Sequence, residues 1–166
     1  PMYTPDQVRA AEQPLLARLG EKLMLSAAFA VAVDCARLLD HHPYGKRVLV
    51  LAGSGGNGGD ALCAAEELER RGAHITVWQT STGLHHAYRR PEEPTAAAAA
   101  RADLIIDGVV GIGASGGLRG EAARAASIIA EHATCPVVAV DIPSGVDPMT
   151  GVPGDSYIRA TNTVTF

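Results

Sequence analysis

The sequence predicts an α/β fold in which a mostly parallel sheet lies between helices in three layers, with two helices ahead of the first strand. Three observations carry this. Short runs of aliphatic and β-branched residues recur between helical stretches, as in Val48-Leu49-Val50-Leu51 and Leu104-Ile105-Ile106. These runs are almost continuously apolar rather than alternating, the mark of strands buried on both faces. Two of them lead directly into glycine-rich turns.

In chain order, Thr4-Pro5-Asp6-Gln7 opens the first helix, with Thr4 as cap, Pro5 at the first helical position and Gln7 completing a capping box. It runs to about Leu19, with Gly20 as its stop, and a second helix spans about Glu21 to Leu39. Arg47–Ala52 is the first strand, followed by the loop Gly53-Ser54-Gly55-Gly56-Asn57-Gly58-Gly59-Asp60 and a helix from about Asp60 to Arg71. His74–Gln79 is the second strand. A long connection, Thr80 to Glu93, precedes an alanine-rich helix from Pro94 through Arg101. Leu104–Asp107 is the third strand, and Gly111-Ile112-Gly113-Ala114-Ser115-Gly116-Gly117 the turn after it. A helix over about Glu121–His132 leads to a strand from Pro136 to Ile142, and Thr161–Phe166 reads as a fifth strand. Alternating strands and helices imply right-handed βαβ units, a Rossmann-like sandwich. The loops after strands one, three and four then share the carboxyl edge of the sheet, where open α/β sheets bind ligands.

Composition narrows the function. The 166 residues make one domain with a real core. A net charge of -4 argues against nucleic acid, which needs a basic patch, and Arg70-Arg71 and Arg89-Arg90 read as solvated surface. Cys35, Cys63 and Cys135 lack metal or disulfide spacing and read as small buried hydrophobes in a reducing cytoplasm. His41-His42 and His85-His86 show no metal spacing and receive no role. The apolar run Leu23–Val33 is too short to span a membrane and reads as a helix packed on the sheet. The first residue is Pro1 rather than Met, which reads as a trimmed start.

Gly53-Ser54-Gly55-Gly56-Asn57-Gly58 matches the GxGxxG pattern, in which glycines let the backbone turn and bring N–H groups to a pyrophosphate at a helix N-terminus. Taken alone, the pattern also describes any tight strand-to-helix turn. Gln79, Thr80 and Ser81 stand where the ordinary dinucleotide fold places a ribose-binding acid, which argues against the usual NAD pose. Gly59-Asp60 replaces the Lys-Ser/Thr of a Walker loop, which argues against nucleotide hydrolysis.

Asp60 is readable as a simple acid in the first turn of a helix. It also faces the same crevice as Asp107 and Asp141, and three acids there repel unless a cation, a proton or a substrate intervenes. Oxygens from Asn57, Asp107 and Ser144 suit a hard cation, and one carboxylate among neutral oxygens points to a weakly charged ion rather than calcium.

Three segments carry a resemblance. Val48 through Asp60, Asp103 through Gly111 and Val138 through Asp147 (Val-Ala-Val-Asp-Ile-Pro-Ser-Gly-Val-Asp) closely resemble the YjeF N-terminal domain family, the NAD(P)H-hydrate epimerases. The ending Ala160–Phe166 and the Leu23-Met24 helix are similar too, so the likeness covers nearly the whole chain in order. The resemblance implies an isomerase that interconverts R and S forms of NADHX and NADPHX, nicotinamide cofactors hydrated at C6. It implies a potassium ion on Asn57, Asp107 and Ser144. It implies substrate contacts at Gly56, Asn57, Gly58, Gly59 and Asp60, at Gly111, Ile112, Gly113, Ala114, Ser115, Gly116 and Gly117, and at Asp141. Asp141 is the first choice for the acid–base carboxylate and Asp60 the second. An ADP- or ATP-dependent NAD(P)H-hydrate dehydratase, fused or separate, is the implied partner, and a homodimer is expected. Two departures stand out: Gly56 occupies a position where the family carries Asn, and the 111–117 turn lacks the family's charged side chains. The chain is expected to stop short of further family strands. The rival readings are a non-catalytic nucleotide-binding or scaffold domain of this fold, and an ordinary NAD-dependent oxidoreductase.

Overall fold

The computed structural model describes residues 3–81, 93–113 and 116–166. Five strands form one sheet in the order β2-β1-β3-β4-β5, with every pairing parallel. They are β1 (Arg47–Ala52), β2 (His74–Gln79), β3 (Leu104–Gly108), β4 (Val137–Val140) and β5 (Asn162–Val164). Helices α1 (Pro5–Leu38) and α2 (Gly56–Arg70) cover one face, and α3 (Ala96–Arg101) and α4 (Gly120–His132) the other. The three expected layers are therefore present, and the sheet is wholly parallel. Most of the Thr80–Glu93 connection lies outside the described residues.

Side-chain alternation divides the core. Val48, Val50, Ala52, Leu104, Ile106, Val138 and Val140 face α1 and α2, whereas Leu49, Leu51, Trp78, Ile105 and Val137 face α3 and α4. β1, β3 and β4 bury both faces, as their unbroken apolar runs require.

The two expected N-terminal helices are one. The Thr4–Gln7 capping box forms as read, with Gln7 N–H donating to Thr4 Oγ1 and Thr4 N–H to Gln7 Oε1. Gly20 does not stop the helix, because a glycine stop needs a left-handed φ and Gly20 does not adopt one. An interior glycine costs only about 1 kcal/mol. Packing recovers this, since Ala28, Val31, Ala32, Cys35, Ala36 and Leu39 recur at helical spacing and are all buried. The real stop comes at Asp40 and His41, with φ of 53° and 60°.

The other correction falls on the glycine loop. Only Gly53–Gly55 is turn; Gly56, Asn57, Gly58, Gly59 and Asp60 are already the start of α2. Asp60 is thus in the helix's second turn, not its first. The early start depends on close backbone packing: Gly58 lies against the Gly53 peptide, and Gly53 against the Val109 carbonyl.

Candidate active site

Parallel register sets the carboxyl ends of β1, β3 and β4 side by side, with Ala52 opposite Gly108 and Asp107 opposite Ala139. Asp107, near the end of β3, is completely buried, and so is Ser144 in the turn after β4. Ser144 N–H donates to Asp107 Oδ2 at 2.8 Å and Ser144 Oγ–H to Asp107 Oδ1 at 2.6 Å. Val109 N–H adds a third bond to Oδ1 at 3.3 Å. Ser144 Oγ accepts in turn from Val110 N–H at 3.1 Å.

Asn57 reaches the same residue, Val110, from α2. Its Nδ2 donates to Val140 O at 2.8 Å and to Val110 O at 3.3 Å, leaving Oδ1 against Gly111. Asn57, Asp107 and Ser144 are therefore gathered around Val109 and Val110, although they are 87 residues apart at the extremes (144 − 57). Burial pushes the Asp107 carboxyl up to about 6, against the lowering pull of its bonds from Ser144 and Val109. All its hydrogen-bond donors are neutral groups.

Asp141 sits where β4 leaves the sheet, with φ 70°. A non-glycine residue there costs about 1–2 kcal/mol, and such strain collects at functional sites. Its N–H donates to Val164 O at 2.7 Å and its Oδ2 accepts from Ile112 N–H at 3.0 Å. One residue thereby ties β4, the edge strand β5 and the loop after β3. Asp60, half-buried on α2, has its carboxyl pushed up to about 6 by burial and secondly by the negative charge of Asp141. The expected cluster of three acids resolves into an Asp60–Asp141 pair in the crevice and a buried Asp107 serving the turn beneath.

The α2 N-terminus has no side-chain cap, because Gly55 and Gly56 carry none. Its first N–H groups are left for water or an anion. Gly111 meets Asn57 and Ile112 N–H meets Asp141, whereas Gly113 lies against Arg9. Gly116 is exposed, and Gly117 packs on the 154–156 segment rather than on the pair of acids. Ala114 and Ser115 lie outside the described residues.

Sequence reasoning missed the Val110 and Val140 carbonyls, which backbone geometry alone brings together. It also missed Arg9, whose Nη1 lies 3.3 Å from where a Cβ on Gly113 would stand. The cysteines fit the expected role incompletely. Cys35 is buried with its thiol pushed up by desolvation, whereas Cys63 and Cys135 are only half-buried.

Among the described residues no helix is long and apolar enough to cross a membrane. The family model for the YjeF-related protein N-terminus matches residues 20–166. The bifunctional NAD(P)H-hydrate repair enzyme Nnr of Mycobacterium tuberculosis is 43% identical over 99% of this chain, which spans 37% of that protein. The NAD(P)H-hydrate epimerase of Clavibacter sepedonicus is 42% identical over 99% of the chain and 79% of its own length. The crystal structure of yeast ynu0, YNL200c, superposes with a TM-score of 0.80 at 21% identity, covering 98% of this chain and 79% of that one, and so shares its fold. On this evidence the chain belongs to the YjeF-related N-terminal family.

Proposed function

We infer that this chain is an NAD(P)H-hydrate epimerase, an isomerase that inverts C6 of the hydrated nicotinamide ring in NADHX and NADPHX. The names of its relatives support the activity, and the observation that carries it is the Asp60–Asp141 pair at the carboxyl edge of the sheet. Inversion requires the C6–O bond to break and re-form on the opposite face. Asp60, the second choice from the sequence, is given the donor role here because burial raises its carboxyl to about 6; it protonates the departing hydroxyl, which leaves as water. The ring nitrogen's lone pair takes up the positive charge. Asp141, held as a hydrogen-bond acceptor by Ile112 N–H, stabilises the cationic ring. Water then adds to the other face and gives up a proton to Asp141, and exchange of that proton through solvent restores Asp60. The uncapped start of α2, Gly56–Gly59, receives a phosphate of the substrate, and Gly111 and Ile112, held by Asn57 and Asp141, form the opposite wall.

Asn57, Asp107 and Ser144 fit a potassium ion, because their donors are all oxygen and the buried Asp107 carboxylate has no cationic side chain among its hydrogen-bond donors. When bound, the ion supplies fixed positive charge beside the crevice. A dehydratase, fused or separate, consumes one epimer in this reading, and the enzyme works in the cytoplasm. It acts as a homodimer, supported by the exposed stripe Leu25, Phe29 and Val33 on α1.

The test follows R-to-S conversion of NADHX by NMR or chromatography, with potassium present. Wild type exceeds the spontaneous rate, and Asp141→Asn loses most of it while still binding substrate. A wild-type rate no faster than the spontaneous one leaves the non-catalytic binding reading. Full rate in Asp141→Asn refutes the role given to Asp141.

A further inference from the structure

The crevice presents acids to an anionic substrate. Asp60 and Asp141 face it, and no charged side chain comes from residues 111–117. A dinucleotide nevertheless brings a pyrophosphate, and the uncapped start of α2 supplies only partial charge.

The missing cation is on α1. The long helix runs past the loop after β3, and Arg9 Nη1 stands 3.3 Å from where a Cβ at Gly113 would be. Any side chain at position 113 would crowd the guanidinium. The neighbouring Ile112 N–H holds Asp141, so Arg9 stands one residue along the loop from the contact that fixes that acid. Arg9 is paired through Nη2 with Asp6 Oδ1 at 2.8 Å, with the two side chains 53% and 90% exposed. Such a pair is screened by water and readily exchanged. A guanidinium has five N–H donors, and the pair leaves Nη1 free of Asp6 to meet a phosphate oxygen.

We propose that Arg9 is a substrate-binding residue that crosses Gly113 to meet the pyrophosphate of the dinucleotide. The proposal rests on the epimerase reading for the identity of that dinucleotide, and on the geometry for everything else. It makes the N-terminal half of α1, none of whose described side chains is in the buried core, one side of the binding site.

ADP-ribose, which carries the pyrophosphate but no nicotinamide, is the probe, titrated calorimetrically into the whole chain at low salt. Arg9→Ala weakens it about tenfold, as loss of one charge-assisted hydrogen bond implies. Arg9→Lys recovers part of the loss, and Asp6→Asn tightens binding by freeing the guanidinium. Arg101→Ala removes the same charge at the last turn of α3 and changes nothing. With NADHX, Arg9→Ala raises KM by a similar factor and leaves kcat within about twofold, the pattern of lost uniform binding. Equal ADP-ribose affinity in wild type and Arg9→Ala overturns the proposal. So does failure of wild type to bind the probe, or a fall in kcat at constant KM. Should wild type bind ADP-ribose, lose it with Arg9→Ala, and epimerise nothing, Arg9 stands and the epimerase reading falls.

Discussion

Replacing Gly58 by Ala tests how the site is built. A Cβ at Gly58 would stand 2.8 Å from the Gly53 carbonyl carbon and 3.0 Å from its nitrogen, with the carbonyl oxygen nearer still. Backbone cannot rotate out of the way as a side chain can. The start of α2 would have to lift from the end of β1 by on the order of 1 Å to restore ordinary van der Waals separation. Overpacking of this kind costs about 1–3 kcal/mol. Lifting α2 also stretches the Asn57 bonds to Val140 and Val110, each contributing about 1 kcal/mol. The better helix propensity of Ala returns about 1 kcal/mol. The net loss is about 2–4 kcal/mol, or roughly 4–16 °C in Tm for a chain of this size. Gly56→Ala is the control, since nothing lies within 4 Å of its missing Cβ and it has the same propensity gain. Thermal unfolding of both variants, followed by circular dichroism, is the assay. If Gly58→Ala melts as high as Gly56→Ala, the close packing of α2 on β1 is wrong, and with it the placement of Asn57.

Ser144→Ala leaves Val110 N–H without its acceptor and Asp107 without its shortest bond. The expected loss is about 2–4 kcal/mol by chemical denaturation, with the Asp107 carboxyl moving further up. Asp60 has its folded value raised to about 6 from 3.8, so the stability it confers is complete below pH 3.8 and lost as pH rises through about 6. Asp60→Asn is therefore more stable than wild type at pH 7, by about 1 kcal/mol after allowance for solvent screening, and the gap closes towards pH 4. Stability curves that run parallel across this window refute the assignment. Exchanging potassium for choline lowers Tm in wild type, because an ion at 100 times its dissociation constant adds about 2.7 kcal/mol. Asp107→Asn abolishes that dependence if the ion sits on Asn57, Asp107 and Ser144.

The strands were legible because burial on both faces leaves little alternative to unbroken aliphatic runs. Val48–Leu51 and Leu104–Ile106 show this directly. The N-terminal helix was not, because Gly20 is a local signal for stopping that packing at Ala28, Val31, Ala32 and Cys35 overrides. Nor was the onset of α2, since Gly56, Gly58 and Gly59 read as loop until the contact between Gly58 and Gly53 is known. At the site, the types Asn57, Asp107, Ser144, Asp60 and Asp141 were readable from chemistry and motif. Their division into a buried carboxylate and a half-buried pair was not.

Residue type and spacing by themselves determined that this chain forms a parallel α/β sandwich and carries acids and glycines at the carboxyl ends of its strands. Those follow from periodicity, which acts over a few neighbouring residues. Only the tertiary structure decided that Asp107 turns inward to Ser144, that Asp60 is coupled to Asp141, and that Arg9 reaches Gly113 from α1. Desolvation and Coulomb coupling depend on distances between residues far apart in the chain, and the packing of helices on the sheet sets those distances.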